Sequence, residues 1–156
     1  MFYEKIMVPL DGSELAECVL PHVEALVKGC HVKELTFVRV FEPFRPPSTG
    51  GEFALSDEEI ARLDSEHKAA ILTYLQKLVE RFKIDGVDTK GEMLTGRVAG
   101  TLAEYAAEKK PDLIIIATHG RSGVTRWVWG SVADRLLRSS CVPVLMVRAP
   151  GCVPGI

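Results

Sequence analysis

Residues 113–131 read LIIIATHGRSGVTRWVWGS. The opening run, Leu113 to Ala117, is apolar at every position and does not alternate. That is the pattern of a strand buried on both faces, which belongs in a parallel sheet covered by helices on either side. The loop that follows carries Gly120 and Gly123, and Gly130-Ser131 then opens a helix to about Ser140. Strand, glycine-bearing loop and helix in that order make half of an α/β repeat.

Working outward, the same alternation recurs along the chain. On the carboxyl side, Val142 to Val147 reads VPVLMV, a last strand. On the amino side, Gly96 to Lys109 predicts a helix that ends on Lys109 and Lys110, cations suited to the negative end of its dipole, before Pro111 stops it. Val87 to Leu94 predicts a strand. Ser56-Asp57-Glu58-Glu59 is a capping box and predicts a helix of about 26 residues, with Ile60, Leu63, His67, Ala70, Ile71, Tyr74, Leu75, Leu78, Val79 and Phe82 at helical spacing. Glu34 to Phe41 (ELTFVRVF) is β-branched and aromatic, a further strand. Lys5 to Leu10 (KIMVPL) predicts the first strand. Ser13 then caps a helix running to Gly29, with a kink at Pro21. Between the Glu34–Phe41 strand and the helix that starts at Ser56, Pro43 to Phe53 is a Pro/Gly-rich loop.

Strictly alternating strands and helices predict a doubly wound, Rossmann-like sheet of five parallel strands, order 3-2-1-4-5, with helices on both faces. Residues 1–148 read as one domain and 149–156 as a loose tail. The chain has 156 residues, ample for a core without staples, and the apolar fraction of 47% and charged fraction of 26% are those of a globular protein. The formal net charge is −2, which gives no bulk attraction to nucleic acid or a membrane surface. That average conceals an asymmetry. From Ala117 to Arg148 the charge is +4, from Arg121, Arg126, Arg135, Arg138 and Arg148 against Asp134, and the remainder carries −6. No stretch is apolar for long enough to span a bilayer, and the first residues carry no signal-peptide pattern. The four cysteines, Cys18, Cys30, Cys141 and Cys152, have no metal-ligand spacing and read as reduced thiols of a cytoplasmic protein.

In an open sheet of this order, ligands bind beyond the carboxyl ends of the strands where the order reverses. Here that lies between the first and fourth strands, at Pro9-Leu10-Asp11-Gly12-Ser13 and Ala117-Thr118-His119-Gly120. Small residues at 117, 120, 123 and 130 permit close approach to the backbone. The helix start at Gly130-Ser131 offers unpaired N–H groups to an anion, and Arg121 and Arg126 add positive charge. The pattern suits a phosphate chain; it also suits a surface loop with a Ser cap. Asp11 can accept from ribose hydroxyls or an adenine amino group, or serve only its own turn. His119 can donate to a phosphate or act as a general base. His22, His31 and His67 read as structural. There is no Walker A run, no GxGxxG after the first strand, no GxSxG elbow and no zinc-protease pair.

Three stretches together, KIMVPLDGS, LTFVRVFE and PDLIIIATHGRSGVTRWVWGSVADRLLRSSCVPVLMVR, resemble the universal stress protein family over essentially the whole chain. The family's nucleotide-binding pattern is Gly, two residues, Gly, nine residues, Gly, then Ser or Thr. It falls here on Ala117, Gly120, Gly130 and Ser131, with alanine in place of the first glycine. The resemblance implies ATP or another adenine nucleotide in the crevice, with Mg²⁺ arriving on its phosphates. Asp11 would face the adenine or ribose, beside the Pro9–Leu10 backbone and Ser13. Val40 would offer its backbone to the adenine. His119, Gly120, Arg121, Gly130, Ser131 and Val132 would line the phosphates. It further implies a stress-response or signalling role rather than catalysis, and a homodimer through the last strand, Val142 to Val147. Two other readings follow from the residues: a dimeric interaction module without nucleotide, suggested by Ala117, and a slow ATP hydrolase, suggested by His119 and the arginines.

Overall fold

The computed structural model of the chain describes residues 3–44, 56–118 and 131–148. Its elements in chain order are β1 (Lys5–Pro9), α1 (Glu14–Glu17), α2 (Leu20–Gly29), β2 (Glu34–Phe41), α3 (Asp57–Arg81), β3 (Asp88–Thr95), α4 (Val98–Lys109), β4 (Leu113–Thr118), α5 (Ser131–Ser139) and β5 (Val144–Arg148). The sheet order is β3-β2-β1-β4-β5 and every pairing is parallel, as the alternation predicts.

Side chains alternate across the sheet and build a core on each face. On one face Ile6, Val8, Leu35, Phe37, Phe41 and Ile115 meet Val19, Leu20 and Val23, together with Ile71, Leu75, Leu78 and Phe82 of the α3 side. The Phe37 and Phe82 rings stand edge to face at 5.1 Å. On the other face Met7, Val38, Ile114 and Ile116 meet Leu102, Ala106, Ala133 and Leu136. Leu113 to Ile116 are all buried and divide between the two clusters, which is why that run is continuously apolar. Each fully buried side chain of this size contributes about 1.5–3 kcal/mol of transfer free energy before entropy is counted.

Two expectations are corrected. The helix after β1 is broken, not kinked. Ser13 caps α1, accepting at Oγ from the Ala16 N–H (3.1 Å), but α1 ends after one turn at Glu17. Pro21 has no N–H to donate, so it is accommodated in the first turn of a new helix, α2. Leu15, in α1, is exposed. The second correction concerns α3. Its capping box forms as predicted, with Ser56 Oγ accepting from the Glu59 N–H (3.2 Å) and Glu59 accepting from the Ser56 N–H (2.9 Å). The helix has 25 residues, about 38 Å of length. Yet no residue from Asp57 to Ala70 is buried: Leu63 and Ala70 keep helical spacing but stay exposed, and His67 meets the core only by setting its ring edge to face on Phe41 at 5.4 Å. The buried contacts start at Ile71. No described helix is long and apolar enough to cross a membrane.

Candidate functional site

The end of β1 is tied to β2 and parts from β4. Pairing of β1 with β2 runs through Pro9 opposite Val38, and the Leu10 N–H continues it to the Val38 carbonyl (2.9 Å). Pairing of β1 with β4 reaches only Met7 opposite Ile114, while β4 stays paired with β5 out to Thr118 opposite Arg148. The carboxyl ends of β1 and β4 therefore diverge, and the divergence falls at the point where strand order reverses. This is where an open α/β sheet receives ligands.

The β1 side of this opening is a small polar turn. Pro9 and Leu10 are buried, and Asp11 is exposed directly after them. Asp11 Oδ1 accepts from the Ser13 N–H (2.8 Å), so its turn role is real. Gly12 has φ +82°, a conformation that disfavours any side chain. Val40, toward the end of β2, is half-buried and packs against the α4–α5 face. On the β4 side, Ala117 is half-buried, and its methyl packs against the apolar cluster of the opposite, α2–α3 face. Ser131 is the first residue of α5, and Val132 behind it is half-buried against the core. His119, Gly120, Arg121 and Gly130 lie outside the described residues, as does Arg126. Of the basic segment, Arg138 is engaged with Asp134 one turn earlier on α5 (2.9 Å), so that charge is locally offset.

Sequence reasoning missed two residues beside the turn. Arg39 follows Leu35 and Phe37 and precedes Phe41 in the inward-facing series of β2, and it is the polar exception in it. Its guanidinium carbon lies 5.2 Å from the centroid of the Tyr74 ring, a cation–π arrangement. A Cβ on Gly12 would fall 2.6 Å from Arg39 Nη1, so the guanidinium fills the space glycine leaves. The Tyr74 hydroxyl is buried without a hydrogen-bond partner among the described residues. Burial holds its ionisation well above the usual tyrosine range. The Glu17 and Asp11 carboxylates push the same way, against the opposing charge of Arg39. The signal available in the sequence was the break in the period-2 apolar series at position 39. Among the described residues no cluster of His, Cys, Asp and Glu has the arrangement of a metal site.

The family model for universal stress proteins matches residues 2–148. The chain belongs to the universal stress protein family. A curated family member from Methanocaldococcus jannaschii, universal stress protein MJ0531, is 32% identical over 149 residues, spanning 95% of this chain and 84% of its own. Solved universal stress proteins share the fold. One, crystallised in complex with cAMP, superposes with a TM-score of 0.68 at 22% identity, covering 96% of this chain and 99% of the other. Another, At3g01520 from Arabidopsis thaliana with AMP bound, has a TM-score of 0.65 at 15% identity, covering 94% of this chain and 92% of the other.

Proposed function

We propose that this family member binds an adenine nucleotide in the opening between β1 and β4 and serves a stress-response or signalling role without catalysis. The observation that carries the reading is the parting of β1 from β4 at the topological switch point, with the polar Asp11–Ser13 turn directly after β1. Two universal stress proteins of the same fold, solved with cAMP and with AMP, support the ligand class.

The chemistry assigns each part. Asp11 accepts from ribose hydroxyls or the adenine amino group, with the Pro9–Leu10 backbone and Ser13 alongside. The Val40 backbone meets the adenine edge. The start of α5 at Ser131 and Val132 presents unpaired N–H groups to phosphate oxygens. Gly120, Gly130, His119 and Arg121 complete the phosphate side, and Mg²⁺ arrives on the phosphates. The placement of the Ala117 methyl against the α2–α3 cluster favours this over the nucleotide-free module. The reading includes a cytoplasmic homodimer joined along β5 and the residues before it, Val142 to Val147. In support, β5 is a sheet edge that exposes Leu145. Residues 1–148 form the nucleotide-binding domain in this reading, and 149–156 lie outside the described residues.

Calorimetry with ATP and Mg²⁺ tests the ligand. Gly130→Asp places a negative charge at the start of α5 and should weaken binding at least tenfold, as expected for an anion set against a phosphate at a helix N-terminus. Affinity unchanged by Gly130→Asp would move the phosphates elsewhere.

A further inference from the structure

Arg39 occupies a position that the fold would otherwise fill with an apolar side chain. Leu35, Phe37 and Phe41 of the same strand face are fully buried, and a cation among them costs desolvation unless its surroundings compensate. The Tyr74 ring receives the guanidinium at 5.2 Å. Gly12 leaves the space that the guanidinium occupies: a Cβ there would stand 2.6 Å from Nη1. A guanidinium brings a planar, forked head to this space that a lysine ammonium lacks.

The residues that meet Arg39 also carry the binding turn. Gly12 sits between Asp11 and Ser13, whose side chain and N–H are joined at 2.8 Å, and Ser13 in turn caps α1 at Ala16. The Ser13 carbonyl also accepts from the Glu17 N–H (3.1 Å), so the far end of the turn is anchored in α1, while beneath Gly12 itself the guanidinium is what packs. We propose that Arg39 is a positioning residue for the ligand site, bracing the Asp11–Ser13 turn against Tyr74 so that the Asp11 carboxylate is held at the rim of the crevice. The consequence for affinity rests on the adenine-nucleotide reading; the bracing does not.

Two measurements separate the two. Amide exchange followed by NMR reports the brace without any nucleotide. In Arg39→Met, which keeps the length but loses charge and fork, the Ser13 N–H should exchange about tenfold faster than in the parent, as local opening of the turn is released. Arg62→Met, at an exposed arginine of α3, should leave Ser13 unchanged. Should Arg39→Met fail to fold, Arg39→Lys carries the same test, with a rise of about threefold expected from losing the planar contact alone. Calorimetric titration with Mg-ATP then tests the route to the ligand. Arg39→Met should weaken binding about tenfold, and combining it with Asp11→Asn should cost little more than Asp11→Asn alone, because the two act through one group. Unchanged Ser13 exchange in a folded Arg39 variant overturns the brace. Losses that multiply in the double variant overturn its action through Asp11. If the parent chain binds no nucleotide, the ligand reading fails and the exchange result alone decides the brace.

Discussion

Asp112 Oδ2 lies 2.9 Å from the backbone nitrogen of Lys5 and accepts its N–H, and it accepts the Glu4 N–H as well at 3.0 Å. The Asp112 N–H returns a bond to the Lys5 carbonyl (2.8 Å). One side chain thus fastens the start of β1 to the start of β4, the pair of strands that part company at their other ends.

Asp112→Ala removes both bonds at an exposed position. It should destabilise the fold by about 1–2 kcal/mol, the range for charge-assisted bonds whose donors regain water. Urea unfolding should show a lower midpoint with the slope unchanged. A midpoint equal to the parent's would mean that the backbone ladder alone registers the two strands.

Gly91 lies beneath α3, where an added Cβ would stand 2.9 Å from Leu75 Cβ and 3.4 Å from the Leu75 carbonyl oxygen. Those atoms are backbone or attached to it, so the helix itself has to move. Gly91→Ala should cost about 1–3 kcal/mol by overpacking, measurable by thermal unfolding. Stability equal to the parent's would show that α3 rides on β3 more loosely than the contact indicates.

The capping box at the start of α3 predicts a pH effect with a definite sign. The hydrogen bonds from Ser56, backbone first, hold the Glu59 carboxyl below the ordinary glutamate range. A carboxyl lowered in the folded state contributes stability above its unfolded value, and the contribution fades as pH falls through the lowered value. Because Asp57 to Ala70 are unburied, the loss should appear as fraying of that half rather than global unfolding. Amide exchange in the first two turns should accelerate on acidification through the carboxylate range. In Ser56→Ala it should be fast already at neutral pH. Exchange in these turns that is indifferent to both changes would contradict the cap's role.

Leu145 is exposed on β5, at the open edge of the sheet. If two chains pair there, sedimentation of the parent should give a dimer, and Leu145→Lys should shift it to monomer by placing charge in the interface. A monomeric parent at micromolar concentration would remove the edge from the account.

The order of the elements was legible because Leu113–Ala117, Glu34–Phe41 and Lys5–Leu10 are too apolar and too short to be anything but covered strands, and parallel pairing leaves few ways to connect them. The place proposed for the site follows from that order alone. What spacing could not convey was supply of partners. Leu63 and Ala70 repeat correctly along α3, but the sheet does not extend under them. Pro21 was visible as a disturbance, and its missing N–H turned out to demand a new helix rather than a bend. Arg39 escaped notice because a single cation in a strand ordinarily faces solvent; only the fold shows that this one faces the core and meets Gly12 and Tyr74. The phosphate side, at His119, Gly120, Arg121 and Gly130, rests on the sequence pattern.

The most direct measurement of the central claim is calorimetric titration of the purified chain with ATP in the presence of Mg²⁺, with AMP and cAMP in parallel. The account predicts saturable binding with a dissociation constant between micromolar and low millimolar for at least one of these nucleotides, weakened in Asp11→Asn. No binding heat from any of them at millimolar concentration would contradict it.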